Sequence, residues 1–179
     1  MGLKNVSDKY PVAVIGAGSF GTAVANLLAE NGEVLLHSRR ADAVDIINHE
    51  RINNGQAIHP NVRATTDLQE ITENCYLLFP SVSSDAFRLT MRQMSPLLRP
   101  YHMIIHCTKG FDIKLEPGKT ILDKDITLKP SDIYTMSKVI LEETCVKRVG
   151  CMSGPNLARE IANKHPAATV IASKFDEVI

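Results

Sequence analysis

The sequence carries no net charge: Lys and Arg number 20, and so do Asp and Glu. That balance removes the electrostatic case for nucleic acid or an anionic membrane as the main partner. No apolar run approaches the ~18 residues that span a bilayer, so no membrane insertion is expected. The opening Met1–Val6 has no long apolar core and does not read as a secretory signal. It also fails the myristoylation pattern, because Val6 stands where Ser or Thr is needed. Asn5-Val6-Ser7 fits a glycosylation acceptor, a match without meaning unless the chain is secreted. The four cysteines, Cys75, Cys107, Cys145 and Cys151, form no C-x-x-C pair. Three lie in or beside apolar runs and read as small buried hydrophobes, with neither a disulfide framework nor a metal site. There is no internal repeat and no low-complexity tract. Together these absences point to a cytoplasmic globular protein.

What is present is alternation. The 179 residues suffice for one well-buried domain, or one domain and the start of another. Strands are predicted at Val12–Ile15, Glu33–Ser38, Val62–Thr65, Tyr76–Phe79, Met103–Cys107, Val149–Met152 and Ala168–Ala172. Helices are predicted at Phe20–Asn31 and Ala41–Glu50, behind Asp67, and from Ser83 or Ser84 to about Met94. A further helix is predicted from Ser131 or Asp132 to about Glu143, and a short one over Asn156–Asn163. Arg51–Asn61 reads as a polar loop. Lys109–Pro130 reads as a long loop with at most one helical turn. Continuously apolar strands alternating with helices predict an α/β fold, a doubly wound and mainly parallel sheet with helices on both faces. Ligands in such sheets sit at the carboxyl ends of the strands. Those ends are Gly16–Gly21, Ser38–Arg40, Pro80–Ser84, Thr108–Gly110 and Ser153–Asn156.

The first of these ends is GAGSFG. Alone, G-x-G-x-x-G is a weak signal, but here it leaves a predicted strand and opens a predicted helix. Gly16 allows the tight turn, Gly18 admits a pyrophosphate against the backbone, and Gly21 lets helix and strand pack closely. Free N–H groups at the helix start then favour phosphate. The second strand ends in His37-Ser38-Arg39-Arg40, with no acid for the adenosine ribose hydroxyls. Arg39 and Arg40 could pair with a 2′-phosphate, so NADP is expected to be accepted alongside NAD; the competing reading is two solvated arginines. Gly118-Lys119-Thr120 resembles the end of a P-loop. It fails because Ile113 stands where that motif needs glycine and no buried strand leads into it. Lys109, at the end of the fifth strand, could hold an anionic or carbonyl oxygen beside a nicotinamide. Ser153-Gly154-Pro155-Asn156 could turn free N–H groups toward a phosphate.

Taken in order, GAGSFGTAVA (Gly16–Ala25), HSRR, HPNVRATTDL (His59–Leu68), FPSVSSDAFR (Phe79–Arg88), TKGFD (Thr108–Asp112) and SGPNLAREIA (Ser153–Ala162) resemble the bacterial NAD(P)-dependent glycerol-3-phosphate dehydrogenases. The resemblance covers nearly the whole chain. It implies that residues 1–179 are a Rossmann-type NAD(P)-binding domain. It further implies hydride transfer between dihydroxyacetone phosphate and sn-glycerol 3-phosphate, feeding phospholipid synthesis. Carried over, it places Gly16, Gly18, Ser19, Phe20, Gly21, Arg39, Arg40, Lys109 and Ala158 by the cofactor. Lys109, Gly154 and Asn156 fall by the phosphorylated small-molecule substrate. The family continues as a helical domain that brings the general acid/base lysine. No lysine here matches that second motif, so this chain is expected to bind nucleotide without turnover, as the cofactor half of a longer protein with room for a homodimer. Ile113–Ser137 is longer and less regular than the family usually has. The glycine turn alone would also admit a Rossmann dehydrogenase of 3-hydroxy acids, or a nucleotide-sensing domain without catalysis.

Overall fold

The computed structural model describes residues 10–115, 118, 123 and 126–179. The readings made on Met1–Ser7, and on Lys119 and Thr120, lie outside the described residues. In chain order the first elements are β1 (Val12–Ile15), α1 (Ser19–Ala29), β2 (Val34–His37), α2 (Ala41–His49), β3 (Ile52–Asn53), β4 (Gln56–Ala57) and β5 (Val62–Thr65). Then come α3 (Leu68–Asn74), β6 (Leu77–Pro80), α4 (Ser84–Met94), β7 (Met103–His106) and β8 (Phe111–Ile113). The last are β9 (Ile133–Thr135), α5 (Met136–Glu143), β10 (Arg148–Ser153), α6 (Ala158–Ala162) and β11 (Val170–Ser173).

The main sheet has the order β11-β10-β7-β6-β1-β2-β5. Every pairing is parallel except β10 with β11. This is the predicted Rossmann-type sheet. Alternation along the strands divides its apolar residues between two cores. Ala13, Ile15, Leu78 and Ile104 pack under α3, α4 and α5, against Ile71, Phe87, Met91, Met136 and Ile140. Val14, Leu36, Phe79 and Ile105 pack on the other face, against Val24, Ala25 and Ala29 of α1 and Ile47 of α2. A central strand such as Val12–Ile15 must therefore be apolar on both sides, which is why it reads as a run and not as an alternation. Asp67 caps α3 as expected, its Oδ1 accepting from the N–H groups of Gln69 (2.7 Å) and Glu70 (3.2 Å). At the outer edge of β5, the side-chain amide of Asn48 accepts from the Ala64 N–H (2.8 Å) and donates to the Ala64 carbonyl (3.0 Å).

Three expectations are corrected. Lys109–Pro130 is not simply a loop, because Phe111–Ile113 forms β8 and pairs antiparallel with β9. The helix that follows does not begin at Ser131 or Asp132. It begins at Met136, capped by Thr135, whose Oγ1 accepts from the Lys138 N–H at 3.2 Å. Residues 133–135 are held extended by the ladder to β8. Asp132 instead accepts from the Lys129 N–H (2.9 Å) and closes a 3-10 turn, Pro130–Asp132. Finally, the polar loop Arg51–Asn61 contains a hairpin, β3–β4. Asn54 (φ +49°) and Gly55 (φ +73°) form its two-residue turn, with the positive φ pair of a type I′ hairpin.

Candidate functional site

A cleft of about 300 Å³ opens at the carboxyl ends of β1, β2 and β6. Gly16, Gly18, His37, Arg39, Ser81 and Val82 are among the residues that line it. A larger cavity of about 880 Å³ lies behind α1, between that helix, β4 and α6. It touches none of the glycine turn, so the smaller cleft is the one that fits a cofactor.

The glycines at 18 and 21 differ in what requires them. A Cβ on Gly21 would stand 1.9 Å from the Gly16 carbonyl oxygen, so the fold itself excludes a side chain there. Around Gly18 nothing lies within 4 Å of such a Cβ, and its φ is −72°. No contact inside the chain demands glycine at 18, whereas a pyrophosphate laid on the turn would. Gly18 is also the N-cap of α1 and places no side chain over the helix start. The first N–H groups of an 11-residue helix are left without a side-chain cap, which is the donor set a phosphate needs.

His37 is buried on the cleft wall. Burial, joined by the charge of Arg39, holds its imidazole below the usual 6.5, against a hydrogen bond that the ring donates to the Thr66 backbone. The two arginines are not equivalent. Arg40 forms a bidentate pair with Asp42, Nε to Oδ1 at 3.2 Å and Nη2 to Oδ2 at 2.9 Å. Both are exposed and line the cleft, but Arg39 has no ion pair among the described residues.

The predicted substrate residues meet. Lys109 Nζ donates to the Gly154 carbonyl (3.1 Å) and to Asn156 Oδ1 (3.2 Å), joining the ends of β7 and β10. Asn156 is buried, and its Nδ2 donates to Thr169 Oγ1 at 3.3 Å. Gly154 has φ +144°, and a Cβ there would stand 2.2 Å from the Ala168 carbonyl oxygen. Thr108 Oγ1 donates to the Val82 carbonyl at 2.7 Å, tying the end of β7 to the cleft wall. Ser19 and Phe20 form the start of α1, just behind the cleft lining, and Ala158 opens α6, which packs on α1. Among the described residues no group of His, Cys, Asp and Glu could hold a metal ion. Nor is any helix there long and apolar enough to cross a membrane.

Residues 11–179 match the family model described as the N-terminus of NAD-dependent glycerol-3-phosphate dehydrogenase. The chain belongs to this family. It is similar to the glycerol-3-phosphate dehydrogenases (NAD(P)+) of Pseudomonas paraeruginosa and Pseudomonas fluorescens, with 36% and 38% identity. Each match covers 97% of this chain, but only 47% and 46% of those proteins. The chain thus spans about half the length of the curated relatives it matches. A crystal structure of glycerol-3-phosphate dehydrogenase from Coxiella burnetii aligns with a TM-score of 0.75 at 30% identity, over 94% of this chain and 48% of that one. The enzyme of Saccharomyces cerevisiae aligns at 0.77 and 21% identity, over 96% and 49%, and there the likeness is one of fold.

One group of residues escaped sequence reasoning. Three side-chain amides of the β3–β4 hairpin reach the glycine turn. Asn53 Nδ2 and Asn54 Nδ2 both donate to the Ala17 carbonyl at 3.0 Å, and Gln56 Nε2 donates to the Ser19 carbonyl at 3.0 Å. The signal that could have found the hairpin is the Asn-Gly dipeptide at 54–55.

Proposed function

We propose that this chain binds NAD or NADP and is the cofactor half of a glycerol-3-phosphate dehydrogenase. The whole protein would move hydride between dihydroxyacetone phosphate and sn-glycerol 3-phosphate in the cytoplasm. The observation that carries the reading is the junction of Lys109 with Gly154 and Asn156 beyond the ends of β7 and β10, at the same carboxyl edge of the sheet as the glycine turn. When bound, the nicotinamide supplies or accepts the hydride. The chain's own residues bind and orient. The turn Gly16–Gly21 and the start of α1 offer N–H groups to the pyrophosphate, with Ser19 and Phe20 among them. Arg39 faces the adenosine end, and Ala158 adds packing from α6. An ammonium has three N–H donors. Lys109 uses two of them on Gly154 and Asn156, which fixes its direction and leaves the third for a substrate oxygen. The general acid/base is assigned to the half of the relatives' length that lies outside these residues.

The test is loss of NADH and NADPH absorbance with dihydroxyacetone phosphate, run on this chain and on the product of the complete reading frame. Turnover by the longer protein alone is expected. No turnover by the longer protein would overturn the substrate assignment.

A further inference from the structure

The geometry points to the β3–β4 hairpin as a clamp that orients the peptide planes of the glycine turn, with Asn53 as its principal positioning residue. The inference rests on the reading of that turn as a pyrophosphate cradle.

In a trans peptide the C=O and the following N–H point in opposite directions, and the chain has no cis peptide bond among the described residues. Whatever fixes the Ala17 carbonyl therefore fixes the Gly18 N–H, and whatever fixes the Ser19 carbonyl fixes the Phe20 N–H. Both carbonyls are held from the hairpin side. The Ala17 oxygen accepts two amide donors, one from Asn53 and one from Asn54, which fills both of its lone pairs. The Ser19 oxygen accepts from Gln56. The hairpin contributes nothing to the lining of the cleft. It stands behind the turn, so the Gly18 and Phe20 N–H groups, opposite their held carbonyls, are aimed away from it.

Two details show that these bonds are favoured over alternatives. Gln56 Oε1 is buried without a hydrogen-bond partner among the described residues. A buried unpaired acceptor is costly, and turning the amide over would set its oxygen against the Ser19 oxygen. The side chain keeps its donor on the turn at the expense of its acceptor. Asn53 Nδ2 also donates to Thr22 Oγ1 (2.8 Å), which itself donates to the Gly18 carbonyl (2.9 Å). One amide thus steadies two consecutive carbonyls of the turn, Ala17 directly and Gly18 through Thr22 in the first turn of the helix. The hairpin is in turn stapled to α1. Asn26 Nδ2 donates to the Ala57 carbonyl (2.7 Å), and its Oδ1 accepts from the His59 N–H (2.9 Å). A glycine turn is the most conformationally free kind of backbone. Holding its dipoles in place before the ligand arrives removes a reorganisation cost from binding.

The experiment is calorimetric titration of the chain with NADH, NADPH and ADP-ribose, alongside thermal unfolding. Asn53→Ala is expected to raise Kd for all three ligands by a common factor of about ten, the scale of the lost hydrogen bonds. The NADPH to NADH ratio, set at the other end of the cofactor, is expected to stay put. Should Asn53→Ala fail to fold, the double variant Asn54→Ala/Gln56→Ala, which leaves Asn53 in place, is expected to raise Kd by about fivefold. Asn61→Ala serves as the control for plain loosening. It removes a 3.0 Å bond to the Ala29 carbonyl at the far end of α1, so it should lower Tm and leave Kd alone. Folded hairpin variants that bind within a factor of about two of the parent would overturn the clamp. A parent chain that binds none of the three ligands would overturn the cradle itself, and the clamp with it.

Discussion

Arg88 Nε lies 2.9 Å from Oδ2 of Asp112, tying the middle of α4 to β8. The same guanidinium pairs with Glu142 (2.7 Å) and with Glu143 of α5, and it stacks over the ring of Tyr134, 5.0 Å from its centroid. The side chains of Arg88, Asp112 and Glu143 are each at most 16% exposed, so solvent screens this network little. Removing one member of a shielded network leaves its partners' charges unpaired. Arg88→Ala is expected to cost about 2–3 kcal/mol of stability in urea unfolding. Arg92→Ala, whose side chain is 60% exposed, is expected to cost less than about 1 kcal/mol. Equal effects at the two positions would show that the network is a surface decoration.

The glycine turn separates folding from binding. Gly21→Ala forces a methyl against the Gly16 carbonyl and is expected to destabilise by about 3 kcal/mol or more, read by chemical unfolding. Gly18→Leu places its side chain in open space. It is expected to keep Tm within a few degrees while abolishing NADH binding. A Gly18→Leu variant with parental affinity would remove the pyrophosphate from this turn.

At the end of β2 the two arginines should divide their work. Arg40 is already engaged by Asp42, and Arg39 is not. Arg39→Asp is therefore expected to weaken NADPH about tenfold or more relative to NADH, since it replaces an attraction for the 2′-phosphate with a repulsion. Arg40→Ala should move that ratio far less. An unchanged ratio in Arg39→Asp would mean that the guanidinium only faces solvent.

Acid should unfold the protein through its buried histidines. Burial lowers His37 and His106 below their usual 6.5, each against one backbone hydrogen bond. Between the folded value and 6.5 the unfolded chain binds protons that the folded chain does not. Stability is therefore full above about pH 7 and falls as pH drops through the window below 6.5. Unfolding free energy measured from pH 8 down to about 5 should decline with a slope of up to two protons. His106→Gln, which retains a polar group near Ser137 Oγ (2.9 Å from the parental Nε2), should flatten it. A slope that survives loss of both imidazoles would assign the acid sensitivity to carboxylates.

The main sheet was legible because its strands are short apolar runs closed by glycine, proline or polar residues. For β1, β2, β6 and β7, burial on both faces leaves no other pattern. The glycine turn was legible for the same local reason, strand then glycines then helix. The β8–β9 pairing was not. Each strand has three residues, none of them fully buried, and the ladder joins segments far apart in sequence. That pairing also decides where α5 begins: once 133–135 are extended, Thr135 and not Ser131 or Asp132 stands at the cap. The hairpin at 52–57 was hidden behind its own polarity. Asn53, Asn54 and Gln56 look like loop residues because they bury amides against a backbone, where hydrophobic periodicity has nothing to report.

The two margins of the sheet differ in kind. Along β5 the Asn48 amide occupies both backbone groups of Ala64, as a residue of a further strand would. Along β11 the described residues offer no such amide, and the strand is paired on one side only. The sheet is therefore asymmetric at its borders: a side chain answers the outward backbone groups at Ala64, while Val170–Ser173 has its ladder on the β10 side alone.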